Sequence, residues 1–326
     1  MQVIIPLAGK GTRLRPHTHI TPKPLINVAG RPVMDWVMDK LQGLGVTELI
    51  FITGHLKEQV EAYARAHYKT PSRFVEQKVQ DGTAGAINLA RPYVKGPVFI
   101  IFVDTVFDAD LGIVNTTDAD GIIWAKEVED YQRFGVVVTD AQGYMTRIVE
   151  KPTEPISKLA NIGLYYIKDV DALWQGIDHV MASPKNKGEW YLTDAFQWMI
   201  EHGRRIKTAE VGAWLDCGAN GTTLETHAIL LDRNGGSGPR NYAKDVKIIE
   251  PCLIGENVVI ERSTVGPHVA LGEGCMVRDS AIEEAIVGKG CKLERTELKD
   301  AILGDQVVLI GFKGSASLGS HCEVVS

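Results

Sequence analysis

A glycine-rich turn with closely spaced cations stands near the start of the chain. Leu7-Ala-Gly-Lys-Gly-Thr-Arg-Leu-Arg-Pro16 follows an apolar run at Val3–Pro6, and Thr21-Pro-Lys-Pro-Leu25 and Val28-Ala-Gly-Arg-Pro-Val33 come after it. A turn of this composition can bind phosphate. Without β-carbons, Gly9 and Gly11 let backbone N–H groups approach phosphate oxygens. Arg13 adds a planar fork for bidentate contact, and Lys23 a movable point charge. Two familiar phosphate loops do not fit. There is no G-x-x-x-x-G-K-[ST] spacing, and Gly9-Lys-Gly11 leads to Leu14 where a dinucleotide fingerprint needs glycine. A P-loop enzyme and a dinucleotide-binding oxidoreductase are therefore disfavoured.

Leu7–Val33 resembles the signature of the sugar-1-phosphate nucleotidylyltransferases, the nucleotide-sugar pyrophosphorylases. That signature reads L-A-G-G-x-G-T-R-L, then P-K-P-L, then V-x-G-x-P-[IVM]. Here Lys10 alone separates Gly9 from Gly11, where the family generally has two residues. Further matches follow in order along most of the chain. Gln77 with Gly82-Thr83 is similar to the family's nucleobase-reading residues, and an amide that both donates and accepts suits the imide edge of a pyrimidine. Phe102-Val-Asp-Thr-Val-Phe107 resembles the L-G-D-N-x-F strand end that presents a metal-binding carboxylate, with Val103 and Thr105 replacing glycine and asparagine. Phe134-Gly135-Val136, Val149-Glu-Lys-Pro152 and Asn161-Ile-Gly163 look like the family's sugar-pocket segments. Trp214-Leu-Asp-Cys-Gly218 looks like the W-x-D-x-G that carries the second carboxylate.

The resemblance implies a reaction and a set of roles. A nucleoside triphosphate and a sugar 1-phosphate would give a nucleotide sugar and pyrophosphate, the sugar phosphate oxygen attacking the α-phosphorus in line. Such catalysis is mainly positioning and charge neutralisation. Leu7, Ala8, Gly9, Gly11, Thr12, Gln77, Gly82 and Thr83 would bind the nucleotide. Arg13 and Lys23 would neutralise the triphosphate and the departing pyrophosphate, and Lys151 would hold the incoming phosphate. Gly135, Glu150 and Asn161 would meet the sugar hydroxyls, while Asp104 and Asp216 would hold Mg²⁺ in an oxygen-rich shell. Glucose 1-phosphate with dTTP or UTP leads among substrates, and mannose 1-phosphate with GTP is the rival. A catalytically silent regulatory paralogue and a bifunctional enzyme with acetyltransferase activity also stand as alternatives. His268 and His321 are the residues that could serve as a base in the latter.

Elements that could position these residues are legible in the hydrophobic pattern. Apolar runs at Val3–Pro6, Glu48–Thr53, Phe74–Glu76 and Val98–Val103 alternate with amphipathic stretches at Val33–Leu44, Leu56–His67 and Ala84–Ala90. That alternation predicts an α/β fold, a Rossmann-like, mostly parallel mixed sheet of the nucleotide-diphospho-sugar transferase type. Gly135–Val138 and Arg147–Val149 flank the turn Asp140-Ala-Gln-Gly143 and predict a hairpin. A strand at Asn161–Ile167 and a helix at Thr193–His202 follow. Beyond Leu231 the character changes: Ile254-Gly, Val265-Gly, Leu271-Gly, Val287-Gly, Leu303-Gly and Leu318-Gly recur at short intervals, with Gly272, Gly288 and Gly304 evenly spaced. This predicts a parallel β-helix, which resembles the left-handed hexapeptide kind. The expected division is a catalytic domain at 1–231, a linker at 232–244 rich in glycine, and a β-helix at 245–326.

Composition bounds the remaining possibilities. A net charge of −6 and a pI near 5.9 argue against broad nucleic-acid binding, which needs a concentrated basic surface. No apolar run is long enough for a membrane span, and the N-terminal stretch reads as a strand rather than a signal peptide. Five cysteines without a C-x-x-C pair argue against a disulfide framework and a zinc site, and fit a reducing cytoplasm. His17 and His19 lie in a polar loop and are expected to face solvent. Trp36, Trp174, Trp190 and Trp198 are expected to anchor packing. A homo-oligomer is expected, because a β-helix prism offers a flat face to a second copy.

Overall fold

Val3-Ile4-Ile5, Leu49-Ile50-Phe51-Ile52 and Phe99-Ile100-Ile101 are continuous apolar runs, the pattern of parallel strands covered on both faces. A computed structural model, describing residues 1–239 and 242–326, places them in adjacent strands, Gln2–Pro6, Glu48–Thr53 and Val98–Ile101. Ile4 lies opposite Ile50 on one side and Ile100 on the other, both pairings parallel. Ser72–Glu76 extends this parallel half beyond Glu48–Thr53. On the far side, Leu159–Ile167 runs antiparallel to Val98–Ile101 and to Gly121–Glu127, and Ile206–Glu210 closes that edge in parallel. The expected hairpin is present as Gly135–Thr139 against Met145–Glu150.

These strands belong to one of two compact units, Met1–Lys10 with Trp36–Trp214. Its core sets Ile4, Ile50 and Ile100 beneath Leu173, Ile177 and Phe196, carried by the helices Val170–Ala182 and Leu192–Glu201. Each such side chain contributes about 1.5–3 kcal/mol of burial free energy. The first helix starts where the Asp169 carboxylate accepts from the Ala172 amide at 3.0 Å, a cap worth about 0.5–2 kcal/mol. The second holds Thr193 and Asp194 in its first turn.

The other unit comprises Gly11–Asp35 with Leu215–Ser326. From Lys247 onward, short strands stack in parallel coils, a parallel β-helix. Leu253 pairs with Ala270, Ala270 with Ile286 and Ile286 with Ile302. Another face runs Ile260, Val277, Leu293, Leu309, Val324. Inward aliphatics fill the prism, with Val265, Val269, Val277, Leu293 and Leu309 fully buried. One corner is a glycine ladder. A β-carbon on Gly272 would fall 2.6 Å from the Gly288 carbonyl carbon, and one on Gly288 2.5 Å from that of Gly304. No real β-carbon tolerates such contact, so the even glycine spacing follows from coil stacking. Another corner is a hydroxyl ladder: the Ser280 amide donates to Ser263 Oγ and the Thr296 amide to Ser280 Oγ, each at 3.0 Å.

The helix Asn220–Asn234 precedes the coils. It extends into the stretch read as a linker, of which residues 240 and 241 lie outside the described residues. The division into 1–231, 232–244 and 245–326 stands as a proposal about function rather than a description of these units.

Candidate active site

In the first unit, three chain segments bring the expected sugar-pocket residues together. Asn161 Nδ2 donates to the Gly135 carbonyl at 2.8 Å. Thr193 Oγ1 donates to Glu150 Oε2 at 3.1 Å. A β-carbon on Gly135 would sit 2.3 Å from Asn161 Nδ2, 2.9 Å from Glu150 Oε2 and 3.0 Å from Thr193 Cγ2, so only glycine fits. Lys151 follows at a positive φ of 44°. Its ammonium lies 3.8 Å from Glu150 Oε1 and 5.2 Å from the centre of the Tyr191 ring. Burial raises the Glu150 carboxyl above its ordinary range, while Lys151 and the Thr193 hydroxyl pull the other way.

Behind these residues stands Tyr165, which sequence reasoning missed. Its hydroxyl donates to Asn161 Oδ1. Burial, with the charges of Glu150 and then Asp104, keeps this phenol protonated far above its usual range. Asp104 therefore belongs electrostatically to the same neighbourhood. The i, i+4 spacing of Asn161 and Tyr165 would place both on one face of a regular strand, but here the strand bulges between them, with Gly163 at φ 77°. Thr193 carried no such signal, because its bond to Glu150 spans 43 residues.

The base-reading candidates also cluster within this unit. Gln77 is buried, and its Nε2 donates to Asp81 Oδ1 at 3.0 Å and to the Gly82 carbonyl at 3.3 Å. Gly82 has a φ of 117°, and a β-carbon there would strike the Trp190 carbonyl oxygen at 2.3 Å. Thr83 Oγ1 accepts from the Leu192 amide at 2.8 Å, so its hydroxyl clamps the loop to the segment bearing Thr193. Leu7 and Ala8 follow the first strand. The Leu7 amide donates to the Ile52 carbonyl at 2.7 Å, Gln80 Nε2 donates to the Ala8 carbonyl, and Gly54 packs against the Ala8 backbone. Gly9 has open space where its side chain would be.

The second unit holds Gly11, Thr12, Arg13, Lys23 and Asp216. Gly218 separates two of them: a β-carbon there would lie 2.8 Å from Asp216 Oδ1 and 2.9 Å from Arg13 Nη2. The Gly218 amide itself donates to Asp216 Oδ1 at 2.8 Å, and Thr226 Oγ1 to the Asp216 carbonyl at 2.8 Å. Gly11 is left-handed, with φ 60°. A β-carbon on it would fall 3.2 Å from Lys23 Cβ, and its carbonyl accepts from Thr18 Oγ1 at 2.8 Å. One expectation is corrected here. His19 is exposed, but His17 is only 6% exposed, because its Nε2 meets Ser317 Oγ at 3.0 Å and burial lowers its pKa.

The profile of the nucleotidyl transferase family matches residues 2–233. The chain belongs to this family. Relatives of this nucleotidyl transferase include the bifunctional protein GlmU of Methanococcus aeolicus, 32% identical over 266 residues that make up 81% of this chain and 60% of GlmU. The chain thus spans about 60% of that relative's length. The UTP–glucose-1-phosphate uridylyltransferase AglF of Haloferax volcanii is 31% identical over 67% of this chain and 91% of its own. The glucose-1-phosphate thymidylyltransferase of Streptomyces griseus is 26% identical over 88% and 87%. Among solved structures, a UDP-glucose pyrophosphorylase complexed with UDP-glucose shares the fold at TM-score 0.64 and 21% identity, over 72% of this chain and 99% of that one.

Among the described residues no three His, Cys, Asp or Glu side chains are grouped to enclose a metal ion. No helix among them is long and apolar enough to cross a membrane, and among the described residues no cysteine is joined in a disulfide. Asp104, in the first unit, and Asp216, in the second, are each the type of oxygen donor that magnesium takes. Mg²⁺ takes one or two carboxylates and completes its shell with substrate phosphate oxygens and water.

Proposed function

We propose that this nucleotidyl transferase joins a sugar 1-phosphate to a pyrimidine nucleoside triphosphate, glucose 1-phosphate with UTP or dTTP, releasing pyrophosphate. One observation carries the sugar-phosphate side: Gly135, Glu150, Lys151 and Asn161 gather with Thr193 around a position where no side chain fits. That cluster offers acceptors and donors for hydroxyls next to a cation for a phosphate. The uridylyl- and thymidylyltransferase names of the relatives support the choice of glucose and of uracil or thymine.

In this reading Lys151 holds the sugar phosphate and turns one oxygen toward the α-phosphorus. That oxygen forms the new P–O bond as the bond to the β-phosphate breaks, and pyrophosphate leaves with the electron pair. Arg13 and Lys23 neutralise the triphosphate and then the pyrophosphate. Gly9, Gly11 and Thr12 offer amides to the phosphates, and Leu7 and Ala8 border the nucleotide. Gln77, Gly82 and Thr83 form the base-reading loop, Gln77 by its amide and Thr83 by holding the loop in place. Glu150 and Asn161 select sugar hydroxyls. Asp104 and Asp216 would hold Mg²⁺, which when bound supplies positive charge to the phosphate oxygens. The reaction belongs in the cytoplasm, and the chain works as a homo-oligomer. Val259 and Val325, exposed on one β-helix sheet, motivate the oligomer, and a monomeric mass in sedimentation would reject it.

Pyrophosphate release across UTP, dTTP, GTP, CTP and ATP with glucose 1-phosphate, mannose 1-phosphate and N-acetylglucosamine 1-phosphate tests the substrate assignment. The expected maximum is glucose 1-phosphate with UTP or dTTP. A maximum with GTP and mannose 1-phosphate would replace it. A bifunctional second activity finds a weaker footing, since His268 turns neither ring nitrogen outward: Nε2 is bonded to Asp232 Oδ1 at 2.9 Å and Nδ1 is buried.

A further inference from the structure

Ser317 lies near the C-terminal end of the β-helix, yet its hydroxyl is bonded to two segments far away in sequence. Asn220 Nδ2 donates to Ser317 Oγ at 2.9 Å, and His17 Nε2 meets the same oxygen at 3.0 Å. A serine hydroxyl accepts one bond while donating another, so neutral His17, with its proton on Nδ1, completes the pair. The depressed His17 pKa agrees with that neutral form. Asn220 also reaches the Arg15 carbonyl at 3.5 Å, and a β-carbon on Gly319 would lie 3.5 Å from Pro16 Cβ.

These two segments matter because of what precedes them. His17 sits in a short 3-10 turn directly after the Thr12–Leu14 turn that carries Arg13. Asn220 opens the helix that follows Asp216 and Gly218. Each turn of Thr12–His19 is only three residues long, and of Thr12, Arg13, Leu14 and Arg15 only Leu14 is buried. Local structure therefore does little to fix the guanidinium. Among the bonds that tie this stretch down are those from Thr18 Oγ1 to the Gly11 carbonyl, from Asn220 to the Arg15 carbonyl and between His17 and Ser317 of the β-helix.

We propose that Ser317 is a positioning residue: through His17 and Asn220 it holds the Arg13 segment and the Asp216 segment in register, making the coil of the β-helix that bears it part of the nucleotidyl transfer machinery. The catalytic reading proposed above is assumed. Hydrogen exchange and kinetics together test the proposal. Ser317→Ala is expected to speed exchange at the amides of Leu14, His19 and Ile20. It should also lower kcat/KM for the nucleotide about tenfold, the worth of roughly one bond to a partly buried polar group, while Ser317→Thr, which keeps the hydroxyl, restores both. Glu323→Gln, in the same coil region but outside the network, should change neither. Unaltered exchange in Ser317→Ala, turnover equal to wild type, or a loss that Ser317→Thr shares would overturn the proposal. A wild-type protein silent with every substrate pair would instead count against the catalytic reading, and the exchange comparison would still decide whether Ser317 orders the Arg13 segment.

Discussion

Asn161 and Gly135 are joined by a 2.8 Å bond from the asparagine amide to the glycine carbonyl. Glu150 pairs across the hairpin with the same glycine, and a β-carbon on Gly135 would lie 2.9 Å from the Glu150 carboxylate. Gly135→Ala should therefore crowd Asn161 and Glu150 at a cost of about 1–3 kcal/mol. KM for the sugar phosphate is expected to rise at least tenfold while KM for the nucleotide changes little. Steady-state kinetics with each substrate varied would check this, and equal changes in both constants would contradict it.

The carboxyl of Glu150 is raised by burial. If its ionised form accepts bonds from sugar hydroxyls, kcat/KM should fall as pH drops through a value above the ordinary carboxylate range. Thr193→Val removes a hydroxyl that favours the ionised form, so the acid limb should move to higher pH. A limb left in place by Thr193→Val would remove Glu150 from that role.

Gly288 stands in a ladder with no room on either side. Gly288→Ala should destabilise the β-helix by about 1–3 kcal/mol or more through overpacking. Gly274, where a side chain would meet nothing, has a positive φ, so alanine there should cost only about 1 kcal/mol from backbone conformation. Paired melting curves would show Gly288→Ala as the larger loss.

His227 accepts the Ala29 amide at 2.9 Å through Nδ1 and is 1% exposed. Burial depresses its pKa from 6.5 to about 4. At neutral pH it is uncharged both folded and unfolded, so it adds no pH dependence there. As pH falls below 6.5 the unfolded chain takes up a proton that the folded one refuses, and stability is lost progressively until about pH 4, by about 3 kcal/mol. His227→Gln should flatten that part of the stability profile. Denaturant titrations between pH 7 and pH 4 would reveal it, and an unchanged slope would contradict it.

Local pattern made much of this legible. Apolar runs placed the strands 48–53 and 98–101, Asp140–Gly143 marked the hairpin turn, and evenly spaced glycines announced the coils. The helices Val170–Ala182 and Asn220–Asn234 were not singled out, and the latter carries Thr223, Thr226 and His227 on its buried face, polar residues that mask a hydrophobic period. Residues that support the site across long sequence separations were hidden for another reason. Thr193 beneath Glu150, and Ser317 behind His17 across 300 positions, are ordinary polar residues until folding brings their partners to them. The buried His17 illustrates the limit, since no local feature distinguishes it from the exposed His19.

The most direct test compares pyrophosphate release by the wild-type protein and Asp104→Ala, with UTP or dTTP, glucose 1-phosphate and a titration of Mg²⁺. Wild type should turn over only with Mg²⁺ present. Asp104→Ala should keep its melting temperature but lose about a hundredfold or more in kcat, the scale of removing one electrostatic stabiliser. Metal-independent turnover, or near-normal rates in Asp104→Ala, would contradict the account.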